Sequence, residues 1–597
     1  MAVTWQTWSD DLPSRAAGEG RPVLLVLVAE WAAACGEPLE RLLSQHEVAT
    51  LIDEVSVPVR VEGHEDHDHT ALARRHGLGA WPTLALLDGD GAVLWSAVAP
   101  AAAELAQALW DASRTLRGDG GAAASASERA DDPSDAAAAN DDSNETAAND
   151  AEAAAAVHEP GALDGSIPPA IERSLLSDFD SCHGGFGTGQ KFPHPETLDY
   201  AILGLAEDRD PRLREIVEKT LSAMAAGDLR DPLSGAFFRC TEERDWRRPH
   251  TEVVLSTNAG LARNYLEAGQ LLGRSDFLAI GEAALEMALA ELFDEDVGLF
   301  AEALDADPGY YALGEADRRT RPGPGSRQRY VASANARMVS ALLKAGAVLH
   351  RGDLSQRGAD VAEQLLRRLW QPGKGMAHLV DDRGNRRVGR LADHAETARA
   401  LLHVLQYRSD RRFMEPLLDL VDLIATQHLL PTGELGDPGA SATTAPNQEA
   451  ILDGAVACEV LLRTALVLGR DDLHQLAVSA LKVHADDFRR YGYAMAAYGR
   501  SVELVLHPPL HVVVVGADDD GRTAQLLEAA SAQYLPSRVV QSIDPLIDIE
   551  QLERLGLPQG EEPAVYIMTR RWAVGPLTTD EDLRDGLLSA KSLRRVR

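Results

Sequence analysis

Between residues 167 and 507 apolar residues recur every three or four positions, in stretches separated by Gly-rich loops. That spacing predicts amphipathic helices. The stretches come in pairs, and Asp210, Asp276, Asp353, Asp410 and Asp472 mark the five short turns inside the pairs. A sixth pair assembles from the two ends of the region, Pro169 to Asp178 and Tyr491 to Leu506. Ends that complete one another predict a closed ring, an all-α (α/α)6 toroid whose long loops line one mouth of a central cavity.

The flanking segments follow other periods. Residues 1–118 predict strands at 23–29 and 55–61, helices at 38–53 and 70–76, a hairpin of 83–87 with 92–95, and a closing helix at 101–116. This βαβαββα order resembles the thioredoxin fold. Trp31 to Cys35 resembles the thioredoxin WCxxC, and Trp81-Pro82-Thr83 resembles the segment that faces it. Dithiol exchange needs an attacking thiolate, yet Ala32 stands in that position and Cys35 matches only the resolving one, so a degenerate redox site is expected. Residues 119–166 form an acidic linker; from Asp119 to Glu159 it has eleven acids against Arg129, with too little apolar surface to fold. Residues 508–597 predict a small α/β cap, with strands at 511–515, 539–541 and 564–568 and helices at 522–534 and 580–590. The chain is thus read as multidomain.

Charge narrows the functions. There are 93 acidic against 58 basic residues, a formal charge of −35, which opposes nucleic acid and anionic membranes. Only six of the basic residues are lysine, an acidic, Arg-dominated pattern of halophilic type. Four cysteines, Cys35, Cys182, Cys240 and Cys458, are too scattered for a CxxC or zinc motif. The run His64 to His69 alternates possible metal ligands, but a loop imposes no coordination geometry. No signal pattern or long apolar span is read at the N-terminus, so a cytoplasmic protein is expected. No cofactor or metal is implied, and protein partners are not legible.

Candidate chemistry sits in the loops. The first reads Gly184-Gly185-Phe186-Gly187 on to Lys191-Phe192-Pro193; the second runs from Gly235-Ala236-Phe237-Phe238-Arg239 through Glu243, Asp245 and Trp246 to Pro249-His250-Thr251-Glu252. These loops, with Leu391-Ala392-Asp393-His394-Ala395, resemble the spermatogenesis-associated protein 20 / YyaL-like family, in a divergent, haloarchaeal-type form. The resemblance implies a thioredoxin-like domain joined to a six-hairpin toroid related to glycosidases and sugar epimerases. Family polar positions are replaced by Phe238, by Arg327-Gln328-Arg329 and by Leu452-Asp453-Gly454. A small carbohydrate-type ligand is expected, with a non-catalytic scaffold as the alternative and thiol-disulfide exchange last. Glycoside hydrolysis needs two carboxylates, a pair offered by Glu252 and Asp393. Epimerisation needs two bases, offered by His250 and His394. Lys191, Arg239, Trp246, Asn258 and Asn335 are the expected ligand contacts. Four of these site residues also have a structural reading: a salt bridge for Lys191, core packing for Trp246, loop bracing for His250 and a helix N-terminus for Glu252.

Overall fold

The computed structural model describes residues 3–9, 11–28, 39–62, 83–98, 100–117, 162–381, 386–438, 448–486, 488–559, 562–569 and 573–594. They fall in two compact units, one within the N-terminal 159 residues and one from Pro160 onward. Ala32, Cys35, Pro82, the run His64 to His69 and most of the acidic linker lie outside the described residues.

The first unit comprises α1 (Leu12–Gly18), β1 (Val23–Val28), α2 (His46–Val55), β2 (Val57–Glu62), β3 (Thr83–Leu87), β4 (Val93–Val98) and α3 (Ala102–Arg117). The strand order is β2-β1-β3-β4, with β1 parallel to β2 and antiparallel to β3, and β3 antiparallel to β4. Every β1 residue is buried because both faces are covered. Leu24 and Val26 pack with Ile52 and Leu109, while Val23, Leu25 and Leu27 pack with Leu12 and Ala16. The second helix runs to Val55, two residues beyond its expected end. Val48, Ile52 and Val55 are buried at helical spacing, so Val55 closes the helix instead of opening the strand.

The second unit begins with α4 (Ile167–Asp178), α5 (Pro195–Ala206), α6 (Leu213–Ala226), α7 (Leu255–Leu272), α8 (Ser275–Glu291), α9 (Ala332–Val348), α10 (Gly352–Leu369), α11 (Leu391–Arg408), α12 (Met414–Gln427), α13 (Gln448–Leu468), α14 (Asp471–Val483) and α15 (Ala496–Leu506). Helices α5, α7, α9, α11, α13 and α15 pack side by side in that order, and α15 returns to α5. Each inner helix has an outer partner, and the sixth pair is α15 with α4, the two ends of the region. The expected closed ring of six hairpins is the structure found. Inner helices are buried nearly all round and rich in Ala, as in α9; the outer α10 buries one stripe, Leu354, Val361, Leu365 and Leu369.

Two repeated devices build the hairpins. At each expected turn an aspartate lies at the start of the outer helix and pairs with an arginine two residues away: Asp210–Arg212, Asp276–Arg274, Asp353–Arg351, Asp410–Arg412 and Asp472–Arg470. At the opposite end glycines at positive φ, among them Gly185, Gly235, Gly298, Gly375 and Gly433, turn the chain back towards the next inner helix.

The C-terminal segment carries β10 (Leu510–Val515), α16 (Gly521–Ala532), β11 (Arg538–Ile543), α17 (Ile549–Leu555), β12 (Ala564–Met568), β13 (Ala573–Leu577) and α18 (Asp580–Arg594). Its strand order, β11-β10-β12-β13, repeats that of the first unit, parallel and antiparallel pairings included. Counted from the ends of the first strands, Asp519 and Arg522 stand where Ala32 and Cys35 do, and Pro563 precedes β12 as Pro82 precedes β3. Helix α17 and strand β13 go beyond the sequence reading. The helix is short, and the edge strand contains Gly575 and Pro576, which interrupt a strand pattern. This sheet and the toroid belong to one compact unit.

Candidate functional site

The inner helices run away from the loop-bearing end, and charged side chains at helical spacing line the ring's interior. Arg337 of α9 bonds Glu196 of α5 (2.7 Å) across the ring, since α7 lies between those helices, and also Glu396 of α11 (2.9 Å). Deeper, Asp199 pairs with Arg263 (3.3 Å) and with Arg500. Glu459 pairs with Arg463 (2.8 Å) and Arg500 (3.2 Å), and Lys344 lies 3.8 Å from Glu267. Solvent exposure falls with depth, from 44% at Glu196 and 29% at Arg337 to 16% at Asp199 and 4% at Glu459. The ring's interior is therefore lined with charge that is more exposed at the loop end than at depth.

Electrostatics holds these groups in fixed protonation states. Burial pushes the Asp199 carboxyl up, but Arg500 and Arg263 outweigh it and hold it below the ordinary range. Arg500, Arg463 and Arg399 likewise outweigh burial at Glu459, well below the usual carboxylate value. Burial, reinforced by Arg263, Arg399 and Arg463, drives His403 well below the usual histidine value, so it is a neutral group among cations. On the same inner helices, one to four residues from Arg263, Arg337 and Arg399, the buried atoms Asn264 Oδ1, Ser340 Oγ and His403 Nδ1 have no partner in the protein. Fixed donors and acceptors suit a polyhydroxylated ligand, whose hydroxyls both donate and accept.

The loop residues expected to meet a ligand hold the frame instead. Lys191 is buried and donates to Asp180 (3.0 Å) and to the Gly187 carbonyl (2.8 Å). Trp246 is 1% exposed; its indole N–H donates to the His183 carbonyl (2.9 Å), and a Cβ on Gly185 would lie 2.6 Å from its ring. That ring has no free face for a sugar, and the glycine run is the close approach that lets it pack. Asn258 accepts from the Phe237 N–H (2.9 Å) and donates to the Phe237 and Val254 carbonyls. Asn335 does the same with Phe300 and Val331. Both amides are spent on main chain, each at the fourth position of an inner helix. Phe238 packs edge-on against Tyr311, ring centres 4.7 Å apart.

The members of the two expected catalytic pairs each make contacts of their own. Asp393 is the third residue of α11; Oδ1 accepts from the Ser333 N–H (3.2 Å), and Oδ2 from the Arg390 N–H (3.0 Å) and from His378 Nδ1 (2.9 Å). Burial raises its pKa, but His378 and Arg390 outweigh it and hold it at about 2. His394 occupies the helix position of Asn258 and Asn335, turned outward behind Gly375 and Gly389, and meets His428 at 2.9 Å. His428 Nδ1 donates to the Gly436 carbonyl, so its Nε2 accepts from His394. Burial and His428 lower His394 to about 4. His250 is half-buried, on a two-residue strand, 3.6 Å from Glu242. Glu252 is buried, and its carbonyl accepts from the N–H of half-buried Arg239 (3.0 Å).

His378 was not read from the sequence as a site residue. It lies on the strand Gly375–Asp381, buried, with Nδ1 donating to Asp393 and Nε2 without a partner in the protein. With Nδ1–H on Asp393, the neutral form of the imidazole carries its lone pair on Nε2, the form of a general base. Asp393 precedes Glu396 by three residues on α11, and Ser333 precedes Arg337 by four on α9, so the dyad sits one turn above the Arg337–Glu396 pair. Alternation along the strand marked His378 as facing with Met376 and Val380, but nothing in the sequence joins it to Asp393.

Burial pushes the Cys240 and Cys458 thiols up to about 11 and about 12, so neither is a thiolate at neutral pH. Among the described residues no group of three or more His, Cys, Asp or Glu side chains is placed to hold a metal, and no helix is long and apolar enough to cross a membrane.

The fold defines a closed six-hairpin toroid with an α/β sheet on its C-terminal side. Among curated proteins the chain is 29% identical over 157 residues to spermatogenesis-associated protein 20 of Homo sapiens, and 28% identical over 157 residues to that of Rattus norvegicus. The resemblance expected from the loop motifs is thereby borne out. Each match covers 24% of this chain, and the chain spans about a fifth of the length of these relatives, 20% in both. No family model matches. Similar solved structures include the cellobiose 2-epimerase of Spirochaeta thermophila, with 13% identity and a TM-score of 0.47 over 58% of this chain and 96% of that one. A sugar epimerase from a ruminal bacterium has 13% identity and a TM-score of 0.46 over 57% and 99%.

Proposed function

We propose that the toroid lumen binds a small carbohydrate-type ligand entering from the loop end. The observation that carries the reading is the charged lining itself: tiers of arginine and carboxylate with the unpartnered Asn264, Ser340 and His403 atoms on the same inner helices. Arginine forks and carboxylates bind neighbouring hydroxyls in pairs, and low exposure at depth strengthens each bond. His378, oriented by Asp393, is the group we assign to proton transfer if the bound sugar reacts, the chemistry of an epimerase or isomerase. His250, Glu252 and Arg239 remain proposed contacts in the loop leading to the mouth. The N-terminal unit is read as thioredoxin-like without dithiol exchange, from its strand order and from Ala32 in the sequence.

A scaffold role is the second reading, favoured by the mutual pairing of the lumen charges. A thermal-shift panel of mono- and disaccharides, sugar phosphates and amino sugars separates the two. Saturable stabilisation that disappears in Arg337→Ala is expected. Absence of a shift across the whole panel, at concentrations into the tens of millimolar (a Kd there is about −2 to −3 kcal/mol), overturns sugar binding in favour of the scaffold.

A further inference from the structure

We propose that the C-terminal sheet domain is the floor of the lumen, and that Tyr534 is the residue at its base. The end of α16, the loop after it and the start of β11 reach the C-terminal parts of four inner helices. Ser531 Oγ donates to the Gln406 carbonyl of α11 (3.3 Å), and Gln270 of α7 donates to the Ala532 carbonyl. The Tyr534 hydroxyl lies 3.4 Å from Glu267 Oε2 of α7, and Lys344 Nζ of α9 stands 4.9 Å from the centre of its ring. Arg463 of α13 donates to the Pro536 and Arg538 carbonyls (3.2 and 2.9 Å).

The loop is held in this shape from within. Arg538 is buried and its guanidinium folds back to the Ser531 carbonyl (2.7 Å) and to that of Gln533. Burial, with Glu267 adding, holds the Tyr534 phenol well above its ordinary pKa, so its O–H donates to the Glu267 carboxylate. The two remaining inner helices are tied at the same end by Arg209, which follows α5 and pairs with Glu172 of α4 (2.9 Å) and Glu503 of α15 (3.5 Å). The lumen is therefore a cup with one entrance and not a channel. Resting on the carbohydrate reading, this limits the ligand to one whose chain ends at Tyr534; a polysaccharide cannot thread through. It also gives the second βαβαββα sheet a task that needs no cysteine.

The six lysines make the floor measurable without any sugar. The full chain is treated with an amine-acylating reagent and the modified lysines are mapped by mass spectrometry. Lys344, 9% exposed and packed on the Tyr534 ring, is expected to react about ten-fold slower than exposed Lys374. Tyr534→Ala is expected to raise the Lys344 rate about ten-fold while buried Lys191 stays unmodified, which reports an intact fold; Tyr534→Phe, which keeps the ring, stays slow. Lys344 reacting as fast as Lys374 in the natural chain overturns the proposal, as does equal reactivity in the Ala and Phe variants. If Tyr534→Ala exposes Lys191, the natural chain and Tyr534→Phe decide. Since no sugar takes part, the floor and the carbohydrate reading fail separately.

Discussion

Asn258 and Asn335 show how much of the toroid rests on single amides. Each satisfies an N–H and two carbonyls where loop meets inner helix, all in the interior. Truncation leaves those main-chain groups without partners, and a buried unsatisfied group costs about 1–3 kcal/mol. Asn335→Ala is expected to destabilise the protein by about 2–4 kcal/mol, read as a lower urea midpoint. A change below about 0.5 kcal/mol is the surface norm and counts against the clamp. In the sequence both were visible as loop-end asparagines but pointed to ligand binding. A side-chain amide suits a sugar hydroxyl and a peptide group equally, and only the neighbouring Phe237 and Phe300 main chain decides between them.

The helices themselves carry two kinds of ion pair that a sequence does not separate. The Arg–Asp pairs at the turns are largely solvent-facing; Arg274 and Asp276 side chains are 36% and 57% exposed. Asp276→Ala removes a helix N-terminal charge and a screened pair, a loss expected to stay below about 1 kcal/mol. Glu459 sits between Arg463 and Arg500 at 4% exposure. Glu459→Ala removes the carboxylate shared by Arg463 and Arg500, leaving Arg463 only main-chain carbonyls, and is expected to cost about 3–5 kcal/mol. Chemical denaturation of both variants tests the contrast, and equal effects would refute the buried tier. The aspartates' periodicity revealed the hairpins because it repeats. The lumen tiers stayed hidden because their members lie on helices tens to hundreds of residues apart.

For the molecule as a whole, buried neutral histidines set the acid limit. His394 and His511 are both pushed to about 4, chiefly by burial, with His428 adding at the first. Unfolded histidine titrates near 6.5, so between about 6.5 and 4 the unfolded state binds the extra protons. Their contribution is complete above 6.5 and declines as pH falls to 4, by about 1.4 kcal/mol per pH unit for each histidine. Asp393, held at about 2, adds stability that is present above about 3.8 and lost as pH falls towards 2. Unfolding free energies measured from pH 8 to 4 are expected to fall from pH 6.5 downward, with a shallower slope in His511→Gln. A flat profile across that window would contradict the buried neutral state.

By itself the sequence determined the ring of six hairpins, its closure by the two ends of the region and the β-rich segments on either side. These follow from period, spacing and residue type, which are local properties. The tertiary structure decided which polar residues face the lumen and which brace loops: it spent Asn258, Asn335 and Lys191 on main chain and carboxylate, turned His394 outward and joined His378 to Asp393. It also set Tyr534 beneath Lys344. The physical reason is that a hydrogen bond depends on position within a few tenths of an ångström, and positions distant in sequence are set only when the ring closes.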